Sequence, residues 1–262
     1  MGTDWQNELF RRAPMASYQL SFSGGDEKTK YSISGGYFDQ DGIIINSNFK
    51  RYSFRANLDR EVSKNLTVGN SVSYASITST GVLTNAGTIV PGVVTAALLF
   101  NPVLGVYDST VKGGYTFEND RGKNLGNPIA DAEKYSSYTT SSRILGNIYA
   151  RYKIGSNLEF KTSFGIDGFN QKENSFGPNY LKRTLASQGE ASVGTVQGLT
   201  WLNENTLTYN TRIKEKHSVN ALLGFTTQKF RNESLFAYAF EFNDDRTGYH
   251  SISAGLRPRN LY

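Results

Sequence analysis

Arg51-Tyr52-Ser53-Phe54-Arg55-Ala56-Asn57-Leu58-Asp59 alternates without a break: every even position is apolar or aromatic, and every odd one is polar or charged. A period of two sends successive side chains to opposite faces of a β-strand, so the stretch predicts a strand with one apolar and one wet face. The pattern recurs on both sides. Upstream, Tyr18, Leu20 and Phe22 alternate with Gln19, Ser21 and Ser23. Past a tight turn at Gly24-Gly25-Asp26, Tyr31, Ile33, Gly35 and Tyr37 share a face. Downstream, a turn at Ser63-Lys64-Asn65 leads into Leu66, Val68, Val72 and Tyr74. Ile144, Gly146, Ile148, Ala150 and Tyr152 are next in phase. After a turn at Gly155-Ser156-Asn157, Leu158, Phe160, Phe164 and Ile166 follow. The last pair has Leu199, Trp201, Leu207 and Tyr209, a turn through Lys214-Glu215-Lys216, then Val219, Ala221, Leu223 and Phe225. This makes about eight strands of roughly 8–13 residues, enough to cross a bilayer when tilted.

The connections alternate in length. Residues 80–141, 170–197 and 229–262 are expected to be long loops, and the other turns are short or medium. A structureless stretch as long as 80–141 is unusual in a compact soluble domain but normal in the outer loops of a membrane barrel. The expected fold is therefore all-β: an antiparallel up-and-down meander forming part of a transmembrane β-barrel. A short helix is expected near Val93 to Phe100. Residues 1–14 predict a helical lead-in of about two turns. There Thr3-Asp4-Trp5-Gln6 has capping-box spacing, Trp5 and Leu9 share a face, and Pro14 ends the segment.

Composition agrees with strands and tight turns. Aromatics reach 13%, nearly all of them the 16 Tyr and 16 Phe, and there are 26 Gly against 6 Pro. No apolar run reaches the ~18 residues of a membrane helix; the nearest, Thr88 to Phe100, is broken by Pro91-Gly92. Alternation halves the apparent hydrophobicity of barrel strands, so the barrel stays open. The chain has no cysteine, hence no disulfide framework and no thiolate chemistry. A net charge of +5 raises the question of nucleic acid, but the basic residues are spread along the strands instead of clustering. No nucleic-acid partner is expected.

A search for chemistry finds little. His217 and His250 are the only histidines, too few for a metal site without cysteine. Asp244-Asp245 lacks the ligand spacing of a calcium loop. Glu159 and Asp167 stand on one strand face about 26 Å apart, too far for paired acid–base work. No nucleophile elbow and no phosphate-cradling loop occurs. No catalytic residue, metal or cofactor is expected, and no substrate-binding residue can be named. Tyr115, Phe117, Phe176, Tyr180, Phe236 and Tyr238 could stack on sugars or peptides, or pack loops together. Arg51, Arg55, Arg143, Arg151, Lys153 and Lys161 must face inward, because a basic residue facing mid-bilayer lipid costs ~2–4 kcal/mol.

The run Thr3 to Pro14, TDWQNELFRRAP, resembles a segment of SusC/RagA-type TonB-dependent outer-membrane transporters. So do Tyr18 to Gly25, Tyr37 to Ile44, Phe49-Lys50-Arg51, Asn101-Pro102-Val103, Asn127-Pro128-Ile129-Ala130 and Trp201 to Leu207. The resemblance implies an active importer of glycan or peptide oligomers in the bacterial outer membrane, and not an enzyme. It implies a SusD-like lipoprotein lid, energy coupling to a TonB complex, short periplasmic turns and long extracellular loops. Such transporters have 22 strands and a plug. Neither plug, TonB box nor signal sequence is recognised here, so a barrel fragment is expected. Two alternatives remain: a complete small eight-stranded barrel with an adhesin or structural role, and a soluble carbohydrate-binding β domain.

Overall fold

In a computed structural model, described for residues 2–84, 90–118, 125–214 and 216–261, the strands form a single sheet in sequence order. They are β1 (Met15–Gly25), β2 (Thr29–Asp41), β3 (Asn48–Ser63), β4 (Leu66–Thr80) and β5 (Ser136–Ile154), followed by β6 (Leu158–Gly177), β7 (Glu190–Ile213), β8 (His217–Phe242) and β9 (Gly255–Leu261). Each pairs antiparallel with the next, and the sheet is open, with β1 and β9 as its edges. Among the described residues no helix is long and apolar enough to cross a membrane.

Register explains why the alternation is so regular. Leu20 faces Gly35, which faces Phe54, which faces Tyr74. Tyr74 faces Ile144, then Gly168 and Leu199. Every in-phase apolar position therefore falls on one continuous face, and Phe22, Leu20, Ile148 and Phe225 are exposed there. On β5 this face runs from Ile144 to Ile154. That is about 33 Å of strand, or about 25 Å of height at a 40° tilt, which matches the apolar band of an outer-membrane barrel. Tyrosines bound it. Tyr18, Tyr37 and Tyr52 sit in adjacent strands with ring centroids 6.4 and 5.0 Å apart, towards the end with the long connections. Tyr31, Tyr152 and Tyr209 lie near the short turns. Two aromatic girdles around an apolar band are the surface that a bilayer requires.

Polar side chains interrupt the apolar face in two places. Asn70 stands between Leu58 and Ile148, and among the described residues its Oδ1 finds no partner. Thr162, Asn203 and Asn205 stand on the apolar face, yet they satisfy one another. Thr162 Oγ1 donates to Asn205 Oδ1 at 2.7 Å, Asn205 Nδ2 to Asn203 Oδ1 at 2.7 Å, and Asn203 Nδ2 to the Ser163 carbonyl at 2.9 Å. Polar groups facing hydrocarbon must be paired internally, and these are. By contrast Ile148, in the middle of the band, has no means of satisfying a charge. Ile148→Arg is expected to destabilise the folded barrel in lipid by ~2–4 kcal/mol, whereas Asn147→Arg on the wet face changes it little. Urea unfolding of vesicle-inserted protein checks this; equal effects at the two positions would show that the apolar face does not meet lipid.

The strands are more numerous and longer than the alternation predicts, and they lengthen from 11 residues in β1 to 26 in β8. Residues Asn170 to Gly177 and Glu190 to Gln197, expected in a loop, are paired as the upper parts of β6 and β7. Lys229 to Phe242 continues β8, and β9 is a ninth strand where an irregular end is expected. The reason is physical: beyond the apolar band both sheet faces are wet, so the hydrogen-bond ladder persists while the sequence contrast between faces fades. The turn at Lys214 to Lys216 includes Glu215, which lies outside the described residues, as do Thr88 and Ile89 of the longest apolar run. The expected short helix is α2 (Val93–Leu99).

Short connections (residues 26–28, 64–65, 155–157 and 214–216) lie at one end of the sheet, and longer ones (42–47, 81–135, 178–189 and 243–254) at the other. The segment preceding β1 joins the long end. There α1 (Trp5–Leu9), α2 and α3 (Pro128–Lys134) pack into a cap whose core includes Trp5, Leu9, Val93, Phe100, Ile129 and Leu181. The capping of α1 differs from the expected box. Asp4, not Thr3, is the N-cap and accepts from the Gln6 and Asn7 amides, while the Thr3 hydroxyl donates to the Leu104 carbonyl at 2.7 Å. Tertiary contact took the hydroxyl away from the helix. The helix is also shorter than two turns, because Phe10 bridges to Ile44 as extended chain.

Candidate functional site

Two surfaces carry the polar chemistry: the wet face of the wall and the cap above it. On the wet face the register brings opposite charges together across strands. Arg143 makes a bidentate pair with Asp167, Nε–Oδ1 2.9 Å and Nη2–Oδ2 2.6 Å, an arrangement that adds geometric as well as electrostatic preference. Tyr149 donates to Asp59 Oδ1 at 2.7 Å, and the Lys161 ammonium stands 5.2 Å from the Tyr149 ring centre. Arg51 lies 5.6 Å from the Phe38 ring centre. Beside the Arg143–Asp167 pair is a hollow of about 470 Å³ lined by Arg55, Asn57, Asn147, Thr200 and Gln228, with Gly165 at its floor. Its lining offers donors and acceptors without a nucleophile and base in contact. That is chemistry for holding a polar solute or a polar protein surface, with no group arranged to transform one.

The cap is built around a buried ion pair. Asn127 caps α3 by accepting from the Ile129 and Ala130 amides, and Pro128 occupies the first helical position. The Asn127 amide also donates to the Val106 and Thr116 carbonyls, at 2.9 and 3.2 Å. One turn into α3, Asp131 is 2% exposed and meets Arg183, Nη2–Oδ2 3.0 Å. Arg183 reaches further, to the Pro91 carbonyl at 3.2 Å and over the Tyr135 ring at 5.5 Å. It thus ties the 178–189 connection to three points of the 81–135 connection, α3 among them. Burial pushes the Asp131 carboxyl above its ordinary range, and the Arg183 guanidinium opposes that shift. Among the described residues Asp131 Oδ1 finds no partner.

The loop aromatics divide. Tyr115 is buried and donates to Glu133 Oε2 at 2.5 Å; burial, with that hydrogen bond, pushes its phenol well up. Phe176 is buried edge-on against Phe242, ring centres 5.4 Å apart. Tyr180 lies against Gly113, whose φ of +87° and crowded Cβ position leave no room for another residue. Phe117 is half-buried. Phe236 and Tyr238 lie on β8 facing the wet side, where the sequence reading expects a loop. His217 opens β8, and the His250 ring lies tilted against Tyr249, centres 4.4 Å apart. Asp244 is taken up by Arg246, whose hydrogen bonds hold its carboxyl down at about 2. Glu159 and Asp167 remain eight positions apart on β6. Among the described residues no three His, Asp or Glu side chains gather as metal ligands would. Sequence reasoning missed Arg183 and Asp131, which are 52 positions apart. The one available signal was the helix start at Asn127-Pro128, which places Asp131 in a first turn.

Comparison with known proteins places the sheet in context. No family model matches the chain. It is 36% identical over 256 residues to TonB-dependent receptor P3 of Formosa agariphila, covering 97% of this chain and 25% of that protein. It is 27% identical over 170 residues to TonB-dependent receptor SusC of Bacteroides thetaiotaomicron, covering 58% of this chain and 16% of that protein. Among solved structures it superposes on the RagAB peptide transporter with a TM-score of 0.79 and 25% identity, over 99% of this chain and 30% of that one. The chain spans about a quarter of the length of the curated relatives it matches most fully.

Proposed function

We propose, from the premise that this chain is a stretch of barrel wall of the SusC/RagA type of TonB-dependent receptor, that it serves an outer-membrane importer of oligomeric nutrients. The observation that carries the proposal is the segregation at the two ends of the sheet, with short turns at one and the folded cap at the other, on either side of a girdled apolar band. The short turns then face the periplasm, the cap faces outward, and the wet face lines the lumen. Peptide or glycan oligomers are the cargo class. The cap is the surface that meets a SusD-like lipoprotein lid. Coupling to a TonB complex belongs to the part of such a receptor outside the quarter matched here. The wall contributes containment and a polar lining rather than catalysis.

This stretch has no cysteine, so single cysteines placed in it, in a receptor with any cysteine elsewhere replaced, make the orientation directly testable. In whole cells a membrane-impermeant maleimide should label Val103→Cys, at an 85% exposed position of the cap. Lys64→Cys, in a short turn, should react only once the outer membrane is permeabilised. Labelling of Lys64→Cys on intact cells at the rate of Val103→Cys would end this reading. Import itself is scored by accumulation of a fluorescent oligopeptide or oligosaccharide, which should stop when the proton-motive force is collapsed.

A further inference from the structure

The wet face of β1 to β4 holds a second hollow, of about 250 Å³. Gly36 lies at its floor opposite Ser53, and a Cβ on that glycine would stand 2.8 Å from Ser53 Oγ, so a larger residue would fill the depression. Arg51 and Arg55 flank Ser53 along β3, each two positions away and therefore on the same face. Arg51 is placed by Phe38, its partner in β2, an aromatic contact that does not consume the guanidinium's N–H donors. Three hydroxyls and an amide, from Ser17, Ser34, Ser73 and Gln19, line the rest.

Charge sets this hollow apart. Among the described residues no carboxylate lines it, and neither Arg51 nor Arg55 makes an ion pair. Asp59, on the same face of β3, lies four positions and about 13 Å of strand beyond Arg55, and it accepts from Tyr149. The larger hollow of about 470 Å³ shares Arg55 and Ser73 as a common rim. Its carboxylate, Asp167, has both oxygens engaged by Arg143. Two like charges thus flank one depression that is rich in donors and has no counter-charge.

We propose that this hollow seats an oxyanion carried by the cargo, a carboxylate held between Arg51 and Arg55, while the neighbouring part of the same oligomer lies in the larger hollow. A neutral sugar or amide would satisfy the hydroxyls but leave two like charges facing each other; an oxyanion removes that repulsion and accepts from both guanidinium groups. The shared rim at Arg55 and Ser73 lets one extended chain occupy both depressions. An acidic sugar and an acidic amino acid offer the same group, so the site reads the charge and leaves the polymer to the larger hollow. The proposal rests on the placement of the wet face along the path of an oligomeric cargo, argued above.

The test uses the intact receptor that contains this stretch, purified in detergent, and two matched pairs of probes: hexaglutamate against hexaglutamine, and hexagalacturonate against maltohexaose. Titration calorimetry should show the charged member of at least one pair binding about tenfold tighter. Arg51→Gln and Arg55→Gln should each cut that preference about threefold, and the double substitution should abolish it. The pair that shows the preference identifies its source, peptide or glycan. No preference in either pair overturns the seat, and so does a preference that survives the double substitution, since the charge would then be read elsewhere in the receptor. Binding is measured without energy coupling, so the two readings fail separately. A preference lost in the double variant, in a receptor that accumulates no oligomer in cells, would support the seat and count against import alone.

Discussion

Replacing Arg183 with Met is expected to lower the free energy of opening the cap by about 3–5 kcal/mol, the cost of leaving a buried charge without its partner. Two connections lose their common tie at once, because Arg183, in the 178–189 connection, joins Asp131, the Pro91 carbonyl and the Tyr135 ring, all in the 81–135 connection. Native-state proteolysis reads the opening equilibrium directly, so cleavage within the 81–135 connection should rise by roughly two orders of magnitude or more. The defect should also depend on pH. With Arg183 gone, nothing offsets the burial that raises the Asp131 carboxyl, so the folded cap favours the protonated acid. Its stability is then greatest below the ordinary carboxylate range and falls as pH rises through the raised value. A cleavage rate in Arg183→Met that matches the parent at every pH would show that the pair does not hold the cap.

Trp5→Ala is expected to cost a similar ~3–5 kcal/mol, but by removing packing instead of a charge partner. The indole is 3% exposed, meets Phe100 edge-on at 4.6 Å between ring centres, and donates from Nε1 to the Asn101 carbonyl at 3.1 Å. Nothing near it is free to collapse into the space, since its neighbours are fixed by their own backbone bonds. Hydrogen exchange should show loss of protection across α2 and residues 101–104, with β3 and β4 unchanged. Trp5→Phe should restore much of it, because the apolar volume matters more than the single hydrogen bond. Protection retained in Trp5→Ala would mean that the segment before β1 only rests on the cap.

These two positions mark where the sequence was hard to read. The wall was legible because a half-lipid, half-water sheet imposes the strongest local contrast that a strand can have, as in Tyr52, Phe54, Ala56 and Leu58 against Ser53, Arg55 and Asn57. Where β6, β7 and β8 rise above the band, that contrast disappears, and Asn170 to Gly177 reads as loop although every residue is paired. The cap was opaque for another reason. Its helices are five to seven residues long, so their identity comes from burial against chain far away in sequence. Thr3 shows this at one atom, its hydroxyl drawn to Leu104 and away from the helix it precedes. As for chemistry, no motif was legible.

The separation of wall from cap also orders events in time. Each strand pairs only with its neighbours in sequence, so the wall can grow hairpin by hairpin, with little chain to bring together at each step except across the 81–135 connection between β4 and β5. The cap cannot. Trp5 must wait for Asn101, 96 positions later, and Asp131 for Arg183. A nascent chain would therefore raise its wall with the outward end still loose, and seal that end only after β6 has been laid down. An assembly arriving during that interval would meet an unfinished surface. Maturation of the cap, more than growth of the sheet, would then set when that end of the molecule becomes recognisable to a partner.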